Sequence, residues 1–216
     1  MSSKEPALSK NTPRKPVQAR GIQTREKIIH AGEELFIQNG YHNILADDIA
    51  RAAGVSVGSF YGYFADKRAL FLAVLERASM SMLSATTEQL SVLLVDEPAD
   101  VEDLIRETMQ MLIDAHKVFF PLYQEAEQMA VYDESVRKYM LESDRSTREI
   151  FEKMISRLNP HLEKKRLHSA AHVVYHASEG IVHSLVSSPE TATNQEEIVQ
   201  EVTRLFSGYL QALRGK

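Results

Sequence analysis

Between Gly54 and Arg68 the chain sets Ser56, Val57, Ser59, Tyr61, Tyr63, Lys67 and Arg68 among three glycines. Hydroxyls and cations at this density can hold phosphodiester oxygens, and short side chains beside them can reach base edges. The chemistry on offer there is noncovalent recognition of nucleic acid. A second constellation is His172, His176, Glu179 and His183, whose offsets of four, three and four put them on one stripe of a helix. Imidazoles four apart can share zinc or nickel with a carboxylate three further on. The whole set spans about 16 Å, so only His172–His176–Glu179 or His176–Glu179–His183 could act on one ion. The same stripe fits a polar dimer seam, a pocket wall with hydrogen-bonded histidines, or an interface that titrates near neutral pH.

The elements that must position the first constellation are short. Asp47 to Ala53 reads as a helix with Ile49, Ala50 and Ala53 as its buried side. Gly54 then makes a turn, where a residue without Cβ takes positive φ at little cost. Ser56 is placed to cap a second helix over Val57–Tyr63. Two turns leave no room for a wide apolar stripe. Phe60 and Phe64, four apart, are expected to point inward, which leaves Gly58, Ser59, Tyr61, Gly62 and Tyr63 as a small, hydroxyl-bearing outer surface. Such a surface suits the recognition helix of a helix-turn-helix, which lies in a DNA major groove.

These residues, with Thr24, Ile28, Ala31, Phe36, Gly40-Tyr41, Asp48-Ile49-Ala50, Ala53-Gly54-Val55-Ser56, Gly58, Tyr61, Tyr63-Phe64, Lys67 and Leu70, resemble the tetracycline-repressor (TetR/AcrR) family of one-component bacterial transcriptional regulators. The resemblance covers roughly residues 22 to 77; the C-terminal two thirds is similar to the family only in length and helical character. It implies an all-α protein with an N-terminal three-helix helix-turn-helix DNA-binding domain and a C-terminal helical ligand-binding and dimerisation domain. It further implies a homodimer, a double-stranded DNA operator and a small-molecule effector, without a cofactor. Thr24, Tyr61, Tyr63, Lys67 and Arg68 are then expected on phosphates, and Ser56, Val57 and Ser59 at base edges, with Val57 against a thymine methyl. Two residues depart from the pattern. Ile44 and Leu45 stand where the family commonly has hydroxyls, one of which caps the second helix and touches a phosphate. Arg68 stands where an acid is often found; with Lys67 it opposes the dipole of a fourth helix, a sign that a nearby phosphate reverses.

Charge divides the same way. Residues 1–77 hold 11 Lys/Arg against 8 Asp/Glu, a net of +3, and residues 78–216 hold 14 against 22, a net of −8, which together give the −5 of the whole chain. One end is suited to a polyanion and the other is not. Residues 1–21 are polar, with Lys10, Arg14, Lys15 and Arg20, and are expected to lack structure alone. They read either as a solvated tail or as an arm for a minor groove. No apolar h-region follows the charges and no run of about 18 apolar residues occurs, so a cytoplasmic protein without a membrane partner is expected. The absence of cysteine excludes disulfides, thiol sensing and cysteine-ligated zinc.

The domains expected are the tail (1–21), the DNA-binding domain (22–68) and a helical ligand-binding and dimerisation domain (69–216). Helices are predicted over Asp66–Leu94, Val101–His116, Phe119–Gln128 (with Pro121 in its first turn), Asp133–Leu158, Leu162–Val186 and Asn194–Leu213. On the last two, Val173, Ala177, Ile181 and Ser184, with Ile198, Val202, Leu205, Phe206 and Tyr209, form faces near helical period that either fill the core or join two subunits. The resemblance favours a four-helix interface. A cavity bounded by the four helices predicted between Val101 and Val186 is implied by the resemblance too, with Met109, Leu112, His116, Phe119, Phe120, Tyr123, Met129, Tyr175, His176 and Glu179 as candidate lining for a lipophilic or aromatic ligand.

Enzyme chemistry finds no footing. There is no phosphate-cradling glycine loop, no Gly-x-Ser-x-Gly elbow and no His-Glu-x-x-His pair, and paired acids such as Asp47-Asp48 and Glu196-Glu197 sit at helix starts. If Tyr61 holds a phosphate, Tyr61→Phe is expected to cost about tenfold in DNA affinity with unchanged circular dichroism. Wild-type affinity in a titration would remove its hydroxyl from the interface.

Overall fold

The computed structural model describes residues 19–93, 100–188 and 194–214. Over these residues the chain is helical, with eight helices: α1 (Ala19–Asn39), α2 (Ala46–Ala52), α3 (Val57–Tyr63), α4 (Lys67–Leu93), α5 (Val101–Ala130), α6 (Glu134–Leu158), α7 (Lys164–Ser187) and α8 (Gln195–Arg214). None of the described helices is long and apolar enough to cross a membrane. The chain divides into two compact units, up to Arg77 and from Ala78 onward.

In the first unit, α2 packs on both α1 and α3. Its core is Ile28, Ile29 and Phe36 of α1, Ile49 and Ala50 of α2, Phe60 and Phe64, and Leu70, Phe71 and Val74 of α4. The Phe36 and Phe71 rings meet edge-on at 5.4 Å, and Tyr41 lies 5.0 Å from Phe71. That packing corrects the expected boundary after residue 68, because the first turns of α4 fill the core of the first unit. Another expectation shifts. The helix α1 starts at Ala19, so Arg20 and Gly21 are helical rather than part of an unstructured tail. Lys10, Arg14 and Lys15 lie outside the described residues.

In the second unit α5 packs against α6, α7 and α8, and α6 packs against α7. Leu104, Ile113, Ile155, Ala170, Ala171 and Val182 are among its most buried side chains. Carboxylates start α5 and α6: Asp100 accepts from the Glu102 amide at 3.1 Å, and Asp133 from the Ser135 amide at 2.9 Å. The two helices expected over 101–116 and 119–128 are one, and α5 runs through Pro121. Proline removes the bond that its amide would make to the Lys117 carbonyl. Lys117 is exposed, so water can take that bond and the helix continues.

Close approach between α1 and α4 depends on one missing side chain. A Cβ on Gly32 would lie 2.8 Å from Cδ2 and 3.2 Å from Cγ of Leu70, which is itself fully buried. Gly32→Ala is therefore expected to destabilise the protein by about 1–3 kcal/mol through overpacking. Chemical denaturation reads this directly, and an unchanged midpoint would mean that Leu70 has room to move.

Candidate functional site

Helix α2 ends in a tight reversal. The Gly54 amide donates to the Arg51 carbonyl at 3.1 Å and the Val55 amide to the Ala50 carbonyl at 2.9 Å, with Gly54 at φ 66°. This is a Schellman ending, and its left-handed residue is glycine because a Cβ is strained there. The chain then extends through Ser56, whose Oγ accepts from the Ser59 amide at 3.1 Å and lies 2.9 Å from the Ser59 hydroxyl. Helix α3 follows over the seven residues Val57–Tyr63. Phe60 and Phe64 anchor it, with 0% and 4% of their surfaces exposed, while Val57 and Tyr61 are 37% and 44% exposed.

Gly58 and Gly62 occupy successive turns of the outer face. Neither has positive φ, nothing lies within 4 Å of a Cβ on Gly62, and only the Ser56 hydroxyl, at 3.9 Å, approaches one on Gly58. Neither glycine is required by the protein's own packing, and each costs about 0.5–1 kcal/mol relative to alanine inside a helix. Their effect is a flat stripe of backbone open to an outside partner.

Around α3 the cations differ in role. Arg68 is exposed at the start of α4, where the Asp66 carboxylate accepts from the Ala69 amide at 2.7 Å. Lys67 is turned inward: its ammonium donates to the Tyr41 and Ile44 carbonyls, both at 2.7 Å, and sits 4.2 Å from the centre of the Tyr41 ring. At the start of α2, Leu45 is 68% exposed and Ile44 is buried. The Leu45 side chain caps nothing; instead the Asp48 carboxylate accepts from the Leu45 amide at 3.0 Å. Thr24 donates its hydroxyl to the Arg20 carbonyl at 2.9 Å, and Tyr63 is half-buried.

The second unit holds a cavity with about 90 Å³ accessible to water, inside roughly 800 Å³ of unfilled volume that includes its mouth. Ser79, Met82 and Leu83 of α4 line it, with Leu112, His116, Phe119, Phe120 and Tyr123 of α5. Met140, Ser143, Asp144, Thr147 and Ile150 of α6, and Tyr175 and Glu179 of α7, complete the wall. His116 presents Nδ1 to the Leu112 carbonyl at 2.8 Å and Nε2 to a Glu179 oxygen at 3.4 Å. Burial lowers its pKa, but the hydrogen bond to Glu179, that residue's charge and the Leu112 carbonyl together raise it above the ordinary 6.5. With an acceptor on each ring nitrogen, the geometry suits the imidazolium. Burial first, then the Glu179 charge, pushes the phenols of Tyr123 and Tyr175 well above the usual range, so both stay neutral donors.

Comparison with known proteins places both units. Residues 28–74 match the model of bacterial regulatory proteins of the tetR family, and residues 126–210 match the tetracyclin repressor-like C-terminal domain. The chain belongs to the tetR family. It is 37% identical over 68 residues to the HTH-type transcriptional activator FasR of Mycolicibacterium smegmatis, which covers 32% of this chain and 31% of FasR. It is also 37% identical over 67 residues to the HTH-type transcriptional repressor NemR of Escherichia coli K12, covering 31% and 34%. The match thus spans about a third of the length of these relatives. Salmonella enterica GusR has the same fold, with a TM-score of 0.69 at 16% identity, over 90% of this chain and 98% of that one. The family and these named regulators are not enzymes.

Within this tetR-family fold, Ser56, Val57, Ser59, Tyr61 and Tyr63 gather on or beside α3 as the spacing predicts. Lys67 does not join them as a free phosphate clamp, since two of its three donors are spent on carbonyls. Of the expected cavity lining, Leu112, His116, Phe119, Phe120, Tyr123, Tyr175 and Glu179 are brought together. Met109 lines a smaller apolar recess with Phe206 and Leu210, Met129 is buried, and His176 is exposed. Helix α6 bounds the cavity as the resemblance implies, but no residue of α6 or of α4 is among the expected lining; Ser143, Asp144 and Thr147 are polar types that sequence alone does not separate from a solvated helix face. The histidine stripe is not one site. Glu179 turns to His116, and His183 lies against Phe120 at 5.1 Å and Glu127 at 3.9 Å. The His172 and His176 rings meet edge-on at 4.3 Å, both exposed. Among the described residues no three metal-ligating side chains converge.

The raised pKa of His116 gives a stabilising contribution that is fully present below pH 6.5 and lost as pH rises through the folded value. Titration of its ring by NMR is expected to show a pKa above 6.5, and Glu179→Gln to bring it below 6.5, because burial then dominates. A ring that titrates identically in both proteins would remove Glu179 as the cause.

Proposed function

We propose that the chain is a cytoplasmic, homodimeric, effector-responsive transcriptional regulator that acts as a repressor and leaves a palindromic operator when a small lipophilic or aromatic molecule fills the cavity. The observation that carries the reading is the outer face of α3, where Gly58 and Gly62 open a flat strip between Val57, Ser59 and Tyr61 without any need of the protein's own packing. Backbone and short side chains can then approach base edges closely. Tyr61, Tyr63, Thr24 and Arg68 are the phosphate contacts in this reading. Lys67 acts one step back, tying the α1–α2 connection to the start of α4. FasR is named an activator and NemR a repressor, so the sign of regulation rests on where the operator lies.

A dimer supplies the second recognition helix that a two-turn α3 needs. On α7 and α8, Val173 and Leu205 are 53% and 61% exposed, and Ala177, Ile181, Ile198 and Tyr209 are half-buried. These residues form the proposed interface between subunits. Val202 and Phe206, expected on the same face, are buried in the core of their own unit. The residues up to Arg77 serve as the reading head and the remainder as the effector-binding and dimerisation body. Helix α4 carries both Phe71 of the head's core and Leu83 of the cavity wall. An effector that binds one position of α4 more tightly shifts the population away from the DNA-bound state by that difference in affinity.

Selection of binding sites from random duplexes is expected to enrich two inverted half-sites, centred about 10–10.5 bp or a multiple apart. A single half-site, or no enrichment, would overturn the paired-head reading. Gly58→Ala and Gly62→Ala are each expected to stabilise the protein by about 0.5–1 kcal/mol and to weaken operator binding at least about tenfold. Stabilised variants that bind DNA normally would show that the strip does not meet DNA.

A further inference from the structure

We propose that the cavity is built for a lipophilic organic cation, whose ammonium lies between Glu179 and Asp144 while its apolar body rests on Phe119 and Phe120. The inference rests on the effector reading above and narrows it to one charge class. Two carboxylates line the cavity, and among its described lining residues the imidazole of His116 is the sole basic group. Arg148 reaches Asp144 at 3.3 Å from the same helix but does not line the space. An anionic ligand would face two carboxylates with only the His116 imidazolium beside it at the wall, the Arg148 guanidinium lying outside the lining. A neutral ligand would leave both carboxylates facing it without a new partner, a cost that a cation avoids.

The aromatic walls favour the same class. Phe119, Phe120, Tyr123 and Tyr175 all line the space, and a desolvated cation over such rings is attracted by their negative faces. The protein also supplies an internal stand-in for the ligand. His116, with its two nitrogens on the Leu112 carbonyl and Glu179, places a positive charge against Glu179 from one side. The negative character of the interior is felt by its neighbours, since Glu179 contributes to the raised pKa of both Tyr123 and Tyr175, and Asp144 does so as well.

Three probes of nearly one shape and different charge test the assignment: phenyltrimethylammonium, tert-butylbenzene and benzenesulfonate. Each is titrated by calorimetry into the full chain, the Glu179→Gln variant and the Asp144→Asn variant, with helicity checked by circular dichroism. The cation is expected to bind at least about tenfold more tightly than the neutral probe, with benzenesulfonate weakest. One or both variants are expected to lose about tenfold or more for the cation while keeping their affinity for tert-butylbenzene. Equal binding of cation and neutral probe, preference for the anion, or no binding of the cation to the wild-type chain would overturn the proposal. If the cation binds as expected but leaves affinity for the selected operator unchanged, the ligand class stands and the effector reading falls.

Discussion

A helix of seven residues has too few internal hydrogen bonds to persist alone in water, and α3 is such a helix. Everything around it makes good that deficit. The Schellman ending at Gly54 aims the chain, Ser56 takes up a free amide, and Phe60 and Phe64 hold the inner side in a core shared with α1, α2 and α4. The outer side is thereby released from any structural duty. Two glycines can stand there although they weaken the helix, because persistence comes from the anchors and not from helix propensity.

The same economy shows in how legible each part is from residue order. The bounds of α3 agree with the sequence-based expectation at both ends, since its start, stop and anchors are all local signals within a few residues. Pro121 misleads for the opposite reason. Whether a proline ends a helix depends on how the freed Lys117 carbonyl is satisfied, and exposure at that position is a property of the fold. Lys67 misleads similarly: an ammonium near a recognition helix suggests a phosphate, but the Tyr41 and Ile44 carbonyls that claim it lie more than twenty residues away in the chain.

The cavity was half legible. Helix α5 shows its inward face through the spacing of His116, Phe119, Phe120 and Tyr123. On α7, Tyr175 and Glu179 line the cavity whereas the histidines lie outside its lining, and α6 contributes Ser143, Asp144 and Thr147, polar side chains that normally mark a solvated surface. Glu179 illustrates why the histidine stripe was attractive as a metal site and why it is not one. A shared helical face fixes where side chains begin, not where they end. Glu179 finds a buried imidazole across on α5, and His183 finds Phe120, so the stripe divides between neighbours.

Pro121 has a consequence for the cavity itself. Phe119, Phe120 and Tyr123, which line it, flank the one position of α5 where the ladder of amide bonds is interrupted. Bending stiffness there is lower than in the turns below, where Leu104, Ile105, Met109, Leu112 and Ile113 are held in the core. The wall is thus compliant at its aromatic end and rigid at its base. In the proposed effector role, such a wall would adjust its width to occupants of different girth without disturbing the packing that holds the helices together, and would leave selectivity to charge and ring contacts more than to shape.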